Sequence, residues 1–158
     1  MIAIFHEIRS LHNVGSMFRT ADAAGLSKIY LTGITPGPTN RFNRPELRFT
    51  KVSLGAEDFV AWEKVPTTGQ LLAKLKKEGW RIIAIEQDNH SMPYYQLKLS
   101  ATELAKAVLV VGNEVSGLPA DILAQADEIV EIPMLGQKES LNVSVAFGIV
   151  VFNLTWSS

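Results

Sequence analysis

Three stretches of this chain combine residue types that could do chemistry. Gly112-Asn-Glu-Val-Ser-Gly-Leu118 sets two glycines around one carboxylate, Glu114. Glycines let a backbone bend tightly and approach a ligand closely, and Glu114 lies where a parallel strand delivers side chains to a site. The spacing is neither G-x-G-x-x-G nor a Walker loop, so it argues against a dinucleotide fingerprint and a phosphate cradle. Ile132-Pro-Met-Leu-Gly-Gln-Lys-Glu-Ser-Leu-Asn-Val-Ser-Val-Ala146 is a loop leading into an apolar run. Ser140 there suits a helix N-cap. Asn142, between Leu141 and Val143, is expected to be buried, where an amide needs partners. In Asn13-Val-Gly-Ser-Met-Phe-Arg19, Asn13 suits an N-cap, and Gly15 costs ~1 kcal/mol inside a helix, which signals close approach by another segment or a ligand. Arg19 supplies a cation within two helical turns of Asn13. Taken one at a time, each has an ordinary explanation: a strand-to-helix turn, a cap, a surface arginine.

The elements that must position these residues follow from periodicity. Met1 to Phe5 reads as a strand and Asn13 to Ala24 as a helix stopped by Gly25. Lys28 to Thr32 reads as a second strand. Gly33 to Arg48, with three prolines, is expected to be irregular. A short segment follows around Ser53 to Phe59, then a strand near Val60 to Lys64. A helix is expected from Thr67 or Thr68 to Glu78, closed by Gly79. Arg81 to Glu86 is a strand, and Ser100-Ala-Thr-Glu103 has capping-box spacing. Ala107-Val-Leu-Val-Val111 is apolar throughout, as a strand covered on both faces would be. A brief helix is expected over Asp121 to Ala126, a strand over Glu128 to Ile132 and an apolar helix over Ser140 to Leu154. Alternating strands and helices predict an α/β fold with a mostly parallel sheet flanked by helices. Ligands of such sheets gather at the carboxyl ends of the strands, where the loops after Phe5, Ile85, Val111 and Ile132 lie.

Composition narrows the class. At 158 residues the length suits a single domain, 1–158. The absence of cysteine removes thiol catalysis and Cys-based metal sites. Three histidines without i, i+4 spacing make a metal centre unexpected. No apolar run reaches membrane-spanning length and no signal-peptide pattern opens the chain, so a cytoplasmic protein is expected. Net charge is −1, yet residues 1–51 hold seven Lys/Arg against three Asp/Glu, and the remainder eight against thirteen. The first third is therefore the candidate polyanion surface. Arg41, Arg44, Arg48 and Lys51 are the candidate contacts to such a polyanion, with the aromatic faces of Phe42 and Phe49 among them.

In order along the chain, Asn13-x-Gly15-x-x-x-Arg19, Gly112-x-Glu114-x-x-Gly117-Leu118, and Ile132-Pro133-Met134 followed by Ser140-Leu-Asn-Val-Ser-x-Ala146 resemble the three motifs of the SpoU/TrmH-like RNA ribose 2′-O-methyltransferases of the SPOUT superfamily. Lys51-Val-Ser-Leu-Gly-Ala56 is similar to a further family segment. The resemblance implies a C-terminal deep trefoil knot, against the usual rule, holding S-adenosylmethionine. By motif matching, Ile85, Gly112, Asn113, Ile132, Met134, Ser140 and Leu141 would contact the cofactor. Arg19, Asn13, Glu114 and Asn142 would form the catalytic group. It also implies a homodimer with the active site near the subunit interface, and tRNA ahead of rRNA as substrate. Relatives carry N- or C-terminal RNA-binding extensions, and this chain is expected to act without them. The family assigns the general base to the arginine matching Arg19. A guanidinium loses its proton only above pH ~12, so electrostatic stabilisation of the ribose alkoxide is the other account. The alternative function is a non-catalytic RNA-binding or assembly module on the same fold. A nucleotide-binding oxidoreductase is further off, since the glycine fingerprint after Phe5 is missing.

Overall fold

The structure is a computed structural model describing residues 1–40 and 42–156. The strands are β1 (Ile2–His6), β2 (Lys28–Thr32), β3 (Ala61–Val65), β4 (Arg81–Ile85), β5 (Met92–Pro93), β6 (Ala107–Val111) and β7 (Glu128–Glu131). They join into one sheet, ordered β3-β2-β1-β6-β4-β7-β5, with every pairing parallel. The helices are α1 (Leu11–Ala23), α2 (Leu47–Ser53), α3 (Thr68–Lys77), α4 (Ala101–Ala105), α5 (Ala120–Leu123) and α6 (Val143–Trp156).

Alternation along the central strands divides the core between two faces. Ala3, Phe5, Leu109 and Val111 share one apolar cluster with Val14, Met17 and Phe18 of α1 and Phe147 and Val151 of α6. Ile2, Ile4, Val108 and Val110 belong to a second with Leu71, Leu72 and Leu75 of α3 and Ile122 of α5. β6 sits between β1 and β4 and all five of its residues are buried, which is why it shows no polar alternation. Phe5 meets Phe18 and Phe147 edge-on, with centroids 6.3 and 5.4 Å apart.

Local chemistry moves several expected boundaries. α1 begins two residues earlier than expected because Ser10 is its cap, its hydroxyl accepting from the Asn13 N–H at 3.2 Å. Asn13 is thus inside the helix, with its side chain free for other partners. The irregular stretch ends before Arg48: Glu46 caps α2, which takes in Leu47 and Arg48. α2 also accounts for Gly15, where a Cβ would come 3.0 Å from Cβ of Val52; the close approach is by a helix. Phe49 is fully buried against Phe18 at 5.1 Å, so it is core and unavailable to bases. α6 starts at Val143, which leaves Ser140 in an exposed loop, not at a cap. The capping box at Ser100 and Glu103 forms as expected.

Candidate functional site

β1, β6, β4 and β7 deliver their following loops to one edge of the sheet, and the loops tie to one another there. Glu114, two residues into the loop after β6, reaches the head of α1. Its carboxylate accepts from the backbone N–H of Arg9 at 2.9 Å and of Ser10 at 3.0 Å, and from the Asn13 side-chain amide at 2.9 Å. Negative charge at a helix N-terminus also meets the favourable end of the helix dipole. Burial works against the charge, but the N–H donors outweigh it and hold the carboxyl below the ordinary glutamate value. Asn13 Oδ1 in turn accepts from the Asn142 amide at 3.1 Å. Asn142 Oδ1 accepts from the Ser144 N–H at 2.8 Å and its hydroxyl at 2.6 Å, closing the first turn of α6. Asn142 itself is exposed, not buried as its neighbours suggested. Its partners come from the other two motifs.

The tight loop after β6 explains both its glycines. Gly117 has φ +63°, and a Cβ on Gly112 would collide with the Gly117 backbone and lie 2.6 Å from the Leu118 nitrogen. Gly112→Ala is expected to destabilise the fold by about 3 kcal/mol through overpacking, read as a lowered urea midpoint with unchanged slope. Asn113 anchors the same loop, donating to the Glu7 carbonyl at 2.6 Å and accepting from the Val115 and Ser116 N–H groups.

Between the loops after β4, β6 and β7 lies a cleft of about 190 Å³. Ile85, Gly112, Asn113, Ile132 and Met134 line it, and so do Ser140 and Leu141. All seven residues matched to cofactor contact are thus brought to one cavity. Glu114 borders it too, while Asn13 and Asn142 meet Glu114 and each other beside it. Glu86, Gln87, Glu131, Val143 and Ala146 also line the cleft and were not named as site residues from sequence. Position was the available signal: Glu86 and Gln87 directly follow a strand at the ligand-binding edge. Gln87 crosses the cleft to donate to the Glu139 carbonyl at 2.8 Å.

Arg19 is not in this cleft. It is exposed and lines a second, wider hollow of about 440 Å³ between α1 and α2, with His12, Ser16, Thr20 and Lys51. Six residues along a helix amount to about 9 Å of rise and a turn of roughly 240°, so α1 points Arg19 away from the side where Asn13 meets Glu114. No hydrogen bond or ion pair holds Arg19 among the described residues. Of the basic segment, Arg44, Arg48 and Lys51 are exposed, with Arg48 3.5 Å from Glu46. Arg41 lies outside the described residues. Phe42 is exposed at 66%. Among the described residues no group of acids and histidines is placed to hold a metal, and no helix is long and apolar enough to cross a membrane.

Comparison with known proteins places the chain in a family. The SpoU rRNA Methylase family model matches residues 1–152. A tRNA (guanosine(18)-2'-O)-methyltransferase of Aquifex aeolicus is 31% identical over 152 residues, 96% of this chain and 67% of that one. A 23S rRNA (guanosine(2553)-2'-O)-methyltransferase of Bacillus subtilis is 33% identical over 153 residues, 97% of this chain and 57% of its own length. This chain thus spans between about half and two thirds of these relatives. The crystal structure of an AdoMet-bound rRNA methyltransferase from Sinorhizobium meliloti superposes with TM-score 0.81 at 28% identity, covering 96% of this chain and 54% of that one. The family match runs along nearly the whole sequence and the fold agrees with it: the chain belongs to the SpoU rRNA Methylase family.

Proposed function

We propose that this chain is a cytoplasmic, S-adenosylmethionine-dependent RNA ribose 2′-O-methyltransferase, working as a homodimer and on tRNA ahead of rRNA. One observation carries the reading: the hydrogen-bonded series Glu114, Asn13, Asn142 ties all three motifs together at the edge of a single cleft. The cleft fits the donor by its chemistry. Ile85, Val111, Ile132 and Met134 offer an apolar wall for an adenine, Ser140 offers a hydroxyl, and among the described residues no lysine or arginine lines the cleft to repel a cation. When bound, S-adenosylmethionine supplies a methyl on a positively charged sulphur, which departs as a neutral thioether.

What this chain must add is alignment of the ribose hydroxyl and stabilisation of the oxygen as its proton passes to solvent water. Glu114 and Asn13 hold the loop after β6 against the head of α1, and Asn142 fixes the start of α6 to them. Arg19 is the cation assigned to the alkoxide and the adjoining RNA phosphate. Because Arg19 lies in a separate hollow, the reading needs a second copy to bring it to the donor cleft. Support for that copy comes from α6, apolar on all sides yet open to solvent at Val145, Phe152 and Trp156, which are 48%, 38% and 82% exposed. A helix apolar all round is normally covered, and α6 lies beside α1, with Gly148 facing Thr20. The segment 132–142, which runs from β7 past the loops after β4 and β6 into α6, is assigned to the trefoil knot.

Calorimetric titration with S-adenosylhomocysteine tests the donor site. Saturable binding of one ligand per chain is the expected result. No binding, with RNA either absent or present, would move the function to an RNA-binding module.

A further inference from the structure

The donor cleft carries charge of one sign. Glu86, Glu114 and Glu131 line it, and among the described residues no lysine, arginine or histidine does. Lys138, in the loop beside it, is exposed and outside the lining. The three carboxylates differ in how far they are already engaged. Glu114 is occupied by α1, as described. Glu86 gives one oxygen to the Leu118 N–H at 2.8 Å and the other to the Gln87 N–H at 3.0 Å. Glu131, the half-buried last residue of β7, has no hydrogen bond or ion pair among the described residues. With no partner of its own among the described residues, the Glu131 carboxylate is open to a cationic ligand.

We propose that Glu131, supported by Glu86, makes this cleft choose its ligand by charge, holding the sulfonium donor in preference to the thioether product. The inference rests on reading the cleft as the donor site. S-adenosylmethionine carries a sulfonium, an ammonium and a carboxylate, a net charge of +1. S-adenosylhomocysteine has lost only the methyl and the sulfonium charge, and is net neutral. Shape separates the two by a methyl group, whereas charge separates them by a full unit. A single carboxylate facing a cation across a half-open site favours it on the order of tenfold. The same asymmetry weakens the hold on the ligand once its charge is gone, which favours exchange of spent product for fresh donor.

Calorimetric titration of the full chain with three probes reads this directly. They are S-adenosylmethionine, S-adenosylhomocysteine and sinefungin, in which an amine replaces the sulfonium as the cation. The unaltered protein is expected to bind both cationic probes more tightly than the neutral one. Glu131→Gln, isosteric and half-exposed, is expected to cut both preferences about fivefold while leaving S-adenosylhomocysteine affinity unchanged. Glu139→Gln, outside the lining, is expected to leave all three affinities as they are. A Glu131→Gln protein that loses affinity for all three probes alike, or for none, overturns charge selection while the donor site stands. Failure of every probe to bind the unaltered protein overturns the donor site and the inference with it.

Discussion

Arg19→Ala is expected to lower methyl transfer to RNA by at least about a thousandfold, the scale of losing an essential electrostatic group in an active site, with S-adenosylhomocysteine affinity unchanged. The separation follows from geometry: Arg19 sits between α1 and α2 and lines none of the donor cleft. Its exposure and lack of partners also mean that the fold does not depend on it, so the variant should unfold at the same urea concentration as the parent. A mixing experiment reads the two-copy arrangement. Combining Arg19→Ala with a folded variant that has lost donor binding, each inactive alone, should restore about a quarter of the parent activity if the chains exchange freely, because half the dimers are mixed and each carries one complete site. Transfer by Arg19→Ala at the parent rate would remove Arg19 from the chemistry. No recovery on mixing freely exchanging chains would place Arg19 and the cleft in the same protomer.

Glu114→Gln is expected to have the second-largest effect, on activity and on acid stability together. Its carboxylate engages two backbone N–H groups and the Asn13 amide, and hydrogen bonds to a charged group contribute about 1.5–3 kcal/mol each. Gln keeps the shape but turns one acceptor into a donor facing N–H groups. The helix head should loosen, and Asn13 and Asn142 should lose their fixed relation. Methyl transfer should fall by about a hundredfold through misplacement. The sign of the pH effect follows from the lowered folded-state pKa. The folded protein favours the carboxylate, so this contribution is fully present above the unfolded glutamate value near pH 4.5 and is lost as pH falls through the lower folded value. The parent should therefore lose stability on acidification below about pH 4.5, and Glu114→Gln should lose less over that window. Parallel urea titrations from pH 3 to pH 6 measure the difference. Equal acid sensitivity of the two proteins would remove Glu114 as an anchor.

Much of the sheet was legible because its strands carry their own signal. β6 is apolar through all five residues, and burial on both faces is what such a run requires. The glycine loop after it could be read as a tight turn, and Gly117 does adopt positive φ. Local competition hid the rest. Ser10 and Asn13 are both good caps three residues apart; only tertiary structure, by giving Asn13 a partner in Glu114, decides between them. Phe49 and Phe42 have the same chemistry in the same basic stretch, yet α2 turns one into the core against Phe18 and leaves the other exposed. Ser140 lost the capping position to Asn142, whose amide bridges Asn13 and the first turn of α6 in one move. Spacing set Arg19 roughly 240° around the helix from Asn13, but not that α2 would build a second hollow on that side. Glu131 was invisible for another reason: a charged residue at a strand end is ordinary until the cleft beside it shows no opposite charge.

The proposed reaction moves a methyl group to a ribose 2′-oxygen. The most direct measurement incubates the protein with unmodified tRNA and rRNA transcripts and S-adenosylmethionine labelled on its methyl, then digests the RNA to nucleosides and locates the label. Label is expected in a 2′-O-methylated nucleoside, absent with Arg19→Ala. Label on a base would contradict the chemistry, and RNA that is bound but never labelled would contradict the enzyme.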